Sequence, residues 1–74
     1  MDPILALRAL TEILSDETMR GRFLDLTGYD PATLRARAGE PDVANAVASF
    51  LNGHEPDLLA IARALDVKPE ALAR

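Results

Sequence analysis

His54-Glu55 is the one point in the chain where an imidazole adjoins a carboxylate. In zinc proteases such a pair is followed one helical turn later by a second histidine, so that two imidazoles reach one metal. This chain has a single histidine. The pair therefore reads as a helix start, with Glu55 as the cap and Pro56 opening the first turn. General acid or base work by His54 would need a partner group and a pocket around it. The acid pairs Asp16 with Glu17 and Glu55 with Asp57 could hold a cation or serve hydrolysis. Both fall at predicted helix N-termini, where negative charge is favoured without any ligand. Ser15 and Ser49 lie outside a Gly-x-Ser-x-Gly elbow, and neither a phosphate-binding glycine loop nor a calcium loop is present. Cysteine is absent, which removes thiol nucleophiles, thiolate metal sites and disulfides. The expectation is a protein that is not an enzyme and needs no cofactor and no metal.

The arginines carry the remaining polar signal. Arg20, Arg22, Arg35 and Arg37 stand against Asp25 and Asp30 between residues 19 and 39, leaving +2 there and −6 elsewhere, for a net charge of −4. Guanidinium forks suit carboxylates, so Arg20, Arg22, Arg35 and Arg37, with His54 and Glu55, are the candidate interaction residues. The bland alternative is a solvated face whose arginines pair with neighbouring acids. A sequence pI near 4.7 argues against nucleic acid or a membrane surface as the partner. The longest stretch without charge or histidine, residues 43–53, has eleven residues, against the ~20 of a membrane span. The start Met1-Asp2-Pro3 has no secretory pattern, so a cytoplasmic location is expected.

These residues must be positioned by helices. All five prolines follow a charged residue and precede a run with spaced apolar residues, the pattern of a helix start. The acids before Pro3, Pro31, Pro41 and Pro56 can cap, and Gly28, Gly39 and Gly53 fall where left-handed terminators belong. The predicted helices cover 3–14 (Ile4, Leu7, Leu10 and Leu14 inward), 16–26 (Ser15 capping; Met19, Phe23 and Leu26 inward), 31–38, 41–52 and 56–65, with a last turn from Pro69. Gly21 marks a close crossing or a break in the second helix. No segment alternates with period two, so no strand is expected. The architecture is an all-α single domain over residues 1–74: a compact orthogonal array of about five short helices plus a C-terminal helical turn. Its expected core is Leu7, Leu10, Leu14, Phe23, Leu26, Leu34, Val47, Phe50, Leu58, Ile61 and Leu65.

Two boundaries look alike. Tyr29-Asp30-Pro31 with Leu34 and Val67-Lys68-Pro69 with Leu72 each place an apolar residue before the cap and a leucine at the fourth helical position, a hydrophobic staple. Phe23 and Ile61 share the same offset of 38 residues. Two related helix-turn-helix units, or a coincidence among few letters, both account for this. Residues 59–74 also echo the apolar spacing of a helix-turn-helix repressor, but Asp66 stands where its turn usually has glycine. Only Lys68 and Arg74 in the recognition helix would meet phosphate, so the electrostatic part of DNA affinity is thin.

Arg22-Phe23-Leu24, then Gly28 with Asp30-Pro31, then Phe50-Leu51 with His54-Glu55-Pro56, continuing to Leu65-Asp66-Val67-Lys68-Pro69, resemble the short alphaproteobacterial proteins grouped as domain of unknown function 3572. The resemblance covers most of the chain and implies an intact small helical protein of the cytoplasm. It brings no activity, substrate or catalytic residue. Asp66 departs from the glycine of that pattern, which puts the turn there in doubt. The functional expectation is a non-enzymatic protein-interaction or adaptor module with an unidentified protein partner or a second copy of itself, exposing the off-stripe Leu5, Leu24 and Leu59. The alternative is a helix-turn-helix nucleic-acid-binding regulator.

Overall fold

Four prolines occupy the first residue of a helix and Pro56 the second, because a fixed φ and a missing N–H cost nothing there. The computed structural model describes residues 1–73. It runs α1 (Pro3–Ser15), α2 (Glu17–Thr27), α3 (Pro31–Arg37), α4 (Pro41–Asn52), α5 (Glu55–Leu65) and α6 (Pro69–Leu72), with no strand among the described residues. The all-α expectation is met, with five helices of seven or more residues and a short sixth. Arg74, read as the end of a recognition helix, lies outside the described residues.

The caps follow side-chain length. Asp2, Asp16 and Asp30 accept the N–H groups of Ile4, Met19 and Thr33 at 3.3, 2.8 and 2.7 Å. Glu40 makes no such bond, and Glu55 lies inside α5 with His54 at the cap position, so neither glutamate caps as expected. Ser15 is not the cap of α2 either; it closes α1, and its hydroxyl donates to the Thr11 carbonyl at 2.8 Å. Gly28 takes the left-handed conformation, φ 77°, but Gly39 and Gly53 do not, since Gly53 stays right-handed at φ −86°. Gly21 neither breaks α2 nor meets a neighbour: a Cβ there would touch nothing within 4 Å.

The second half of the chain repeats the first at an offset of 38 residues. α1 and α4 start at Pro3 and Pro41, α2 and α5 span 17–27 and 55–65, and α3 and α6 start at Pro31 and Pro69. Gly28 and Asp66, the two residues with positive φ among those described, keep the same offset. So do the buried pairs Ala9 and Val47, Leu10 and Ala48, Ile13 and Leu51, Phe23 and Ile61, and Leu34 and Leu72. The suspected pair of helix-turn-helix units thus extends to α1 and α4, giving two three-helix units. The two units interlock: α1 packs on α4, and each also packs against the other unit's second helix, α1 on α5 and α4 on α2.

One core joins them, holding Leu10, Phe23, Leu34, Val47, Phe50, Ile61 and Leu65 as expected. Leu14 and Leu58 are only half-buried against it. Leu7 at 39% and Leu26 at 76% exposure lie outside it, while Ala6, Ala9 and Ile13 take the inward side of α1. A central helix touching three others favours small residues at the crossings, which turns its larger Leu7 and Ile4 outward. Leu26 lies in the last turn of α2 on the side away from the core, between Leu24 and Tyr29, which pack against that core. Leu5 and Leu24, expected on the outside, are half-buried against the core, whereas Leu59 is exposed.

Candidate functional site

The structure sorts the candidate residues into two groups. Arg22 on α2 reaches the start of α5, where its guanidinium donates to both carboxylate oxygens of Asp57 at 2.7 and 2.9 Å. His54 Nδ1 lies 3.0 Å from the same carboxylate. That contact requires the proton on Nδ1, so the 3.4 Å approach of Arg22 to that nitrogen is proximity and not a second hydrogen bond. Arg22 also lies over the Phe50 ring, 5.8 Å from its centroid, and Phe50 meets Phe23 edge-on at 5.2 Å. The Arg22-Phe23 and Phe50 to His54 pieces of the resemblance therefore meet in space. Glu55 stays exposed beside this cluster.

Asp57 is the residue the sequence reading missed. By sequence it reads as an ordinary acid at a helix start, yet it is 5% exposed. The signal was its spacing: Asp57 precedes Ile61 and Leu65 at four-residue steps on the apolar stripe, and an acid there requires a partner. The Arg22 hydrogen bonds hold its carboxyl below the ordinary range, against burial, which works the other way; His54 adds to the lowering. A carboxylate so satisfied, and charged at neutral pH, is a poor proton acceptor. Among the described residues no buried side-chain polar atom lacks a partner, and no group of three His, Cys, Asp or Glu could hold a metal. The cluster ties α2 to α5.

Arg37 is likewise engaged, with Glu40 at 3.2 Å and Asp42 at 2.8 Å. Arg20 and Arg35 have no acid partner among the described residues. Arg20 gives one N–H to the Leu14 carbonyl at 3.1 Å. Both line a cleft of about 260 Å³ between α1, α2 and α3, whose other walls include Leu7, Leu14, Leu24 and Leu34. The expected cationic surface thus divides: Arg22 is neutralised by the buried Asp57 and Arg37 by exposed acids, and two arginines flank an open apolar cleft.

Part of the cleft has a counterpart in the second unit. Thr11, Leu14 and Arg35 of the cleft correspond to Ser49, Asn52 and Ala73, which line a depression beside Gly53. Asn52 donates there to the carbonyls of Ala48 at 2.7 Å and Leu72 at 3.3 Å, closing polar groups on one another. Among the described residues, no helix is long and apolar enough to cross a membrane.

Comparison with known proteins gives a match to the family described as "Protein of unknown function (DUF3572)" over residues 3–74. No curated protein and no solved structure matches the chain.

Proposed function

The chain belongs to the DUF3572 family of proteins of unknown function, and we propose that it is a non-enzymatic, cytoplasmic protein-interaction module that docks partners in the cleft between α1, α2 and α3. The observation that carries this reading is the contrast between α1 and α4. Leu7 and Leu14 of the cleft correspond to Asn45 and Asn52 on α4, a helix that packs into the core without apolar residues at those positions. An exposed leucine that the framework does not require is a candidate for burial by a partner.

The nucleic-acid alternative draws less from the geometry. α6, the would-be recognition helix, has four residues, about 6 Å of helix, with Glu70 in its first turn. Such a segment offers neither the length nor the positive charge that groove binding uses.

Site-specific photocrosslinking in native lysate tests the proposal. A benzophenone side chain at Leu7 should give a discrete crosslinked product, competed away by unlabelled protein, whereas the same probe at the corresponding exposed Asn45 should give none. Equal products at both positions, or none at Leu7, would remove the cleft as a docking surface.

A further inference from the structure

Resting on the docking reading above, we propose that the occupant of the cleft is an acidic segment of a partner protein, which inserts one or two apolar side chains between α1 and α3 and sets its carboxylates against Arg20 and Arg35. Three observations carry the choice. The first is size. About 260 Å³ falls below the ~300 to 1,000 Å³ of pockets that enclose a drug-sized molecule, but it admits side chains from a segment lying across the opening.

The second is charge. Arg22 and Arg37 are paired with Asp57, Glu40 and Asp42, while Arg20 and Arg35 are not paired with acids among the described residues. Arg20 keeps most of its five N–H donors free, since one N–H goes to the Leu14 carbonyl. A planar fork beside apolar walls suits a carboxylate, which it can grip through two hydrogen bonds. The chain as a whole carries −4, so an acidic partner is drawn by Arg20 and Arg35 locally and not by the overall field of the molecule. The same −4 opposes an anionic membrane or a nucleic acid, for which two arginines are a small counterweight.

The third is the internal comparison. Arg20 and Arg35 correspond to Leu58 and Ala73 in the second unit, whose helices form without a cation at either position. Both arginines are exposed and pair with no acid among the described residues, so neither is demanded by the fold. Both line the cleft, whose other walls are mostly apolar.

The test is selection of random peptides displayed on phage against the immobilised full chain, followed by titration of the enriched peptides by fluorescence anisotropy. Enriched sequences should combine Asp or Glu with large apolar residues. Their affinity should fall about tenfold or more in the double variant Arg20→Glu, Arg35→Glu, as expected for loss of charge-assisted hydrogen bonds. It should change less than about twofold in Arg63→Glu, Lys68→Glu, which alters net charge equally elsewhere; as both pairs are exposed, such substitutions rarely threaten folding. Circular dichroism melts of each variant verify that the fold is kept. Enrichment of neutral or basic sequences, or equal losses in the two double variants, would overturn the proposal. Failure to enrich any family alongside a specific crosslink at Leu7 would also overturn it, leaving docking in place; loss of the Leu7 crosslink would remove both. A dimer in sedimentation that Arg20→Glu, Arg35→Glu abolishes would replace the acidic partner with a second copy of the chain.

Discussion

Asp57 shows how one side chain couples folding to pH. Its carboxyl lies below the ordinary range in the folded protein, first through the Arg22 hydrogen bonds, so below neutrality the unfolded chain binds the proton more readily. The stability this group contributes is complete above the unfolded value of ~3.9 and is lost as pH falls from there through the lower folded value. Urea melts of Asp57→Asn should give a lower midpoint than the native chain at pH 7, with the gap narrowing as pH drops below about 4. A constant gap across that range would show that Arg22 and Asp57 do not share an ion pair. Asp66 supplies a second single-residue case, since it holds φ 56° where its counterpart is Gly28. Replacing Asp66 with glycine should stabilise the protein by about 1 kcal/mol, because a Cβ is strained in the left-handed region. An unchanged or lower denaturant midpoint would contradict that backbone assignment.

At the scale of elements, legibility depended on whether one local force decided the outcome. The prolines located five of the six helices because backbone geometry alone sets their preference for the first turn, while α2, which has none, was legible from the spacing of Met19 and Phe23. The register of α1 was not legible, since Ile4, Leu7 and Leu14 on one side compete with Ala6, Ala9 and Ile13 on the other. Ranking by side-chain size chose the leucines, whereas the close approach of three neighbouring helices selected the alanines. Arg20 and Arg35 were readable as candidates, but their separation from Arg22 and Arg37 depends on acids brought up by α4 and α5. Gly21 was overread for a similar reason: glycine inside a helix suggests crowding, and the surroundings prove empty. Gly21→Ala should therefore raise stability by about 0.5 to 1 kcal/mol through helix propensity alone. A loss on chemical denaturation would mean that α2 is bent or crowded at that residue.

The whole molecule is two similar three-helix units that do not divide into two similar halves of a core. α1 of the first unit is covered by α4 and α5 of the second, and α2 reaches back to α4, so Ala9, Leu10 and Ile13 owe their burial to both units. The Phe23 and Phe50 rings, 5.2 Å apart, and the Arg22 to Asp57 pair, 2.7 Å, also cross from one unit to the other. Cutting between residues 38 and 39 would expose all these surfaces. Each fragment would then hold fewer than ~40 residues, a size at which a chain without disulfide or metal seldom folds alone. Fragments 1–38 and 39–74 should each give a weak helical circular dichroism signal with no cooperative melt. Mixed at equal concentration they should regain helicity, because the interlocked contacts supply what each fragment lacks. A cooperative transition in either fragment alone would mean that the core is confined to one unit, and the cross-unit contacts would then be incidental to folding.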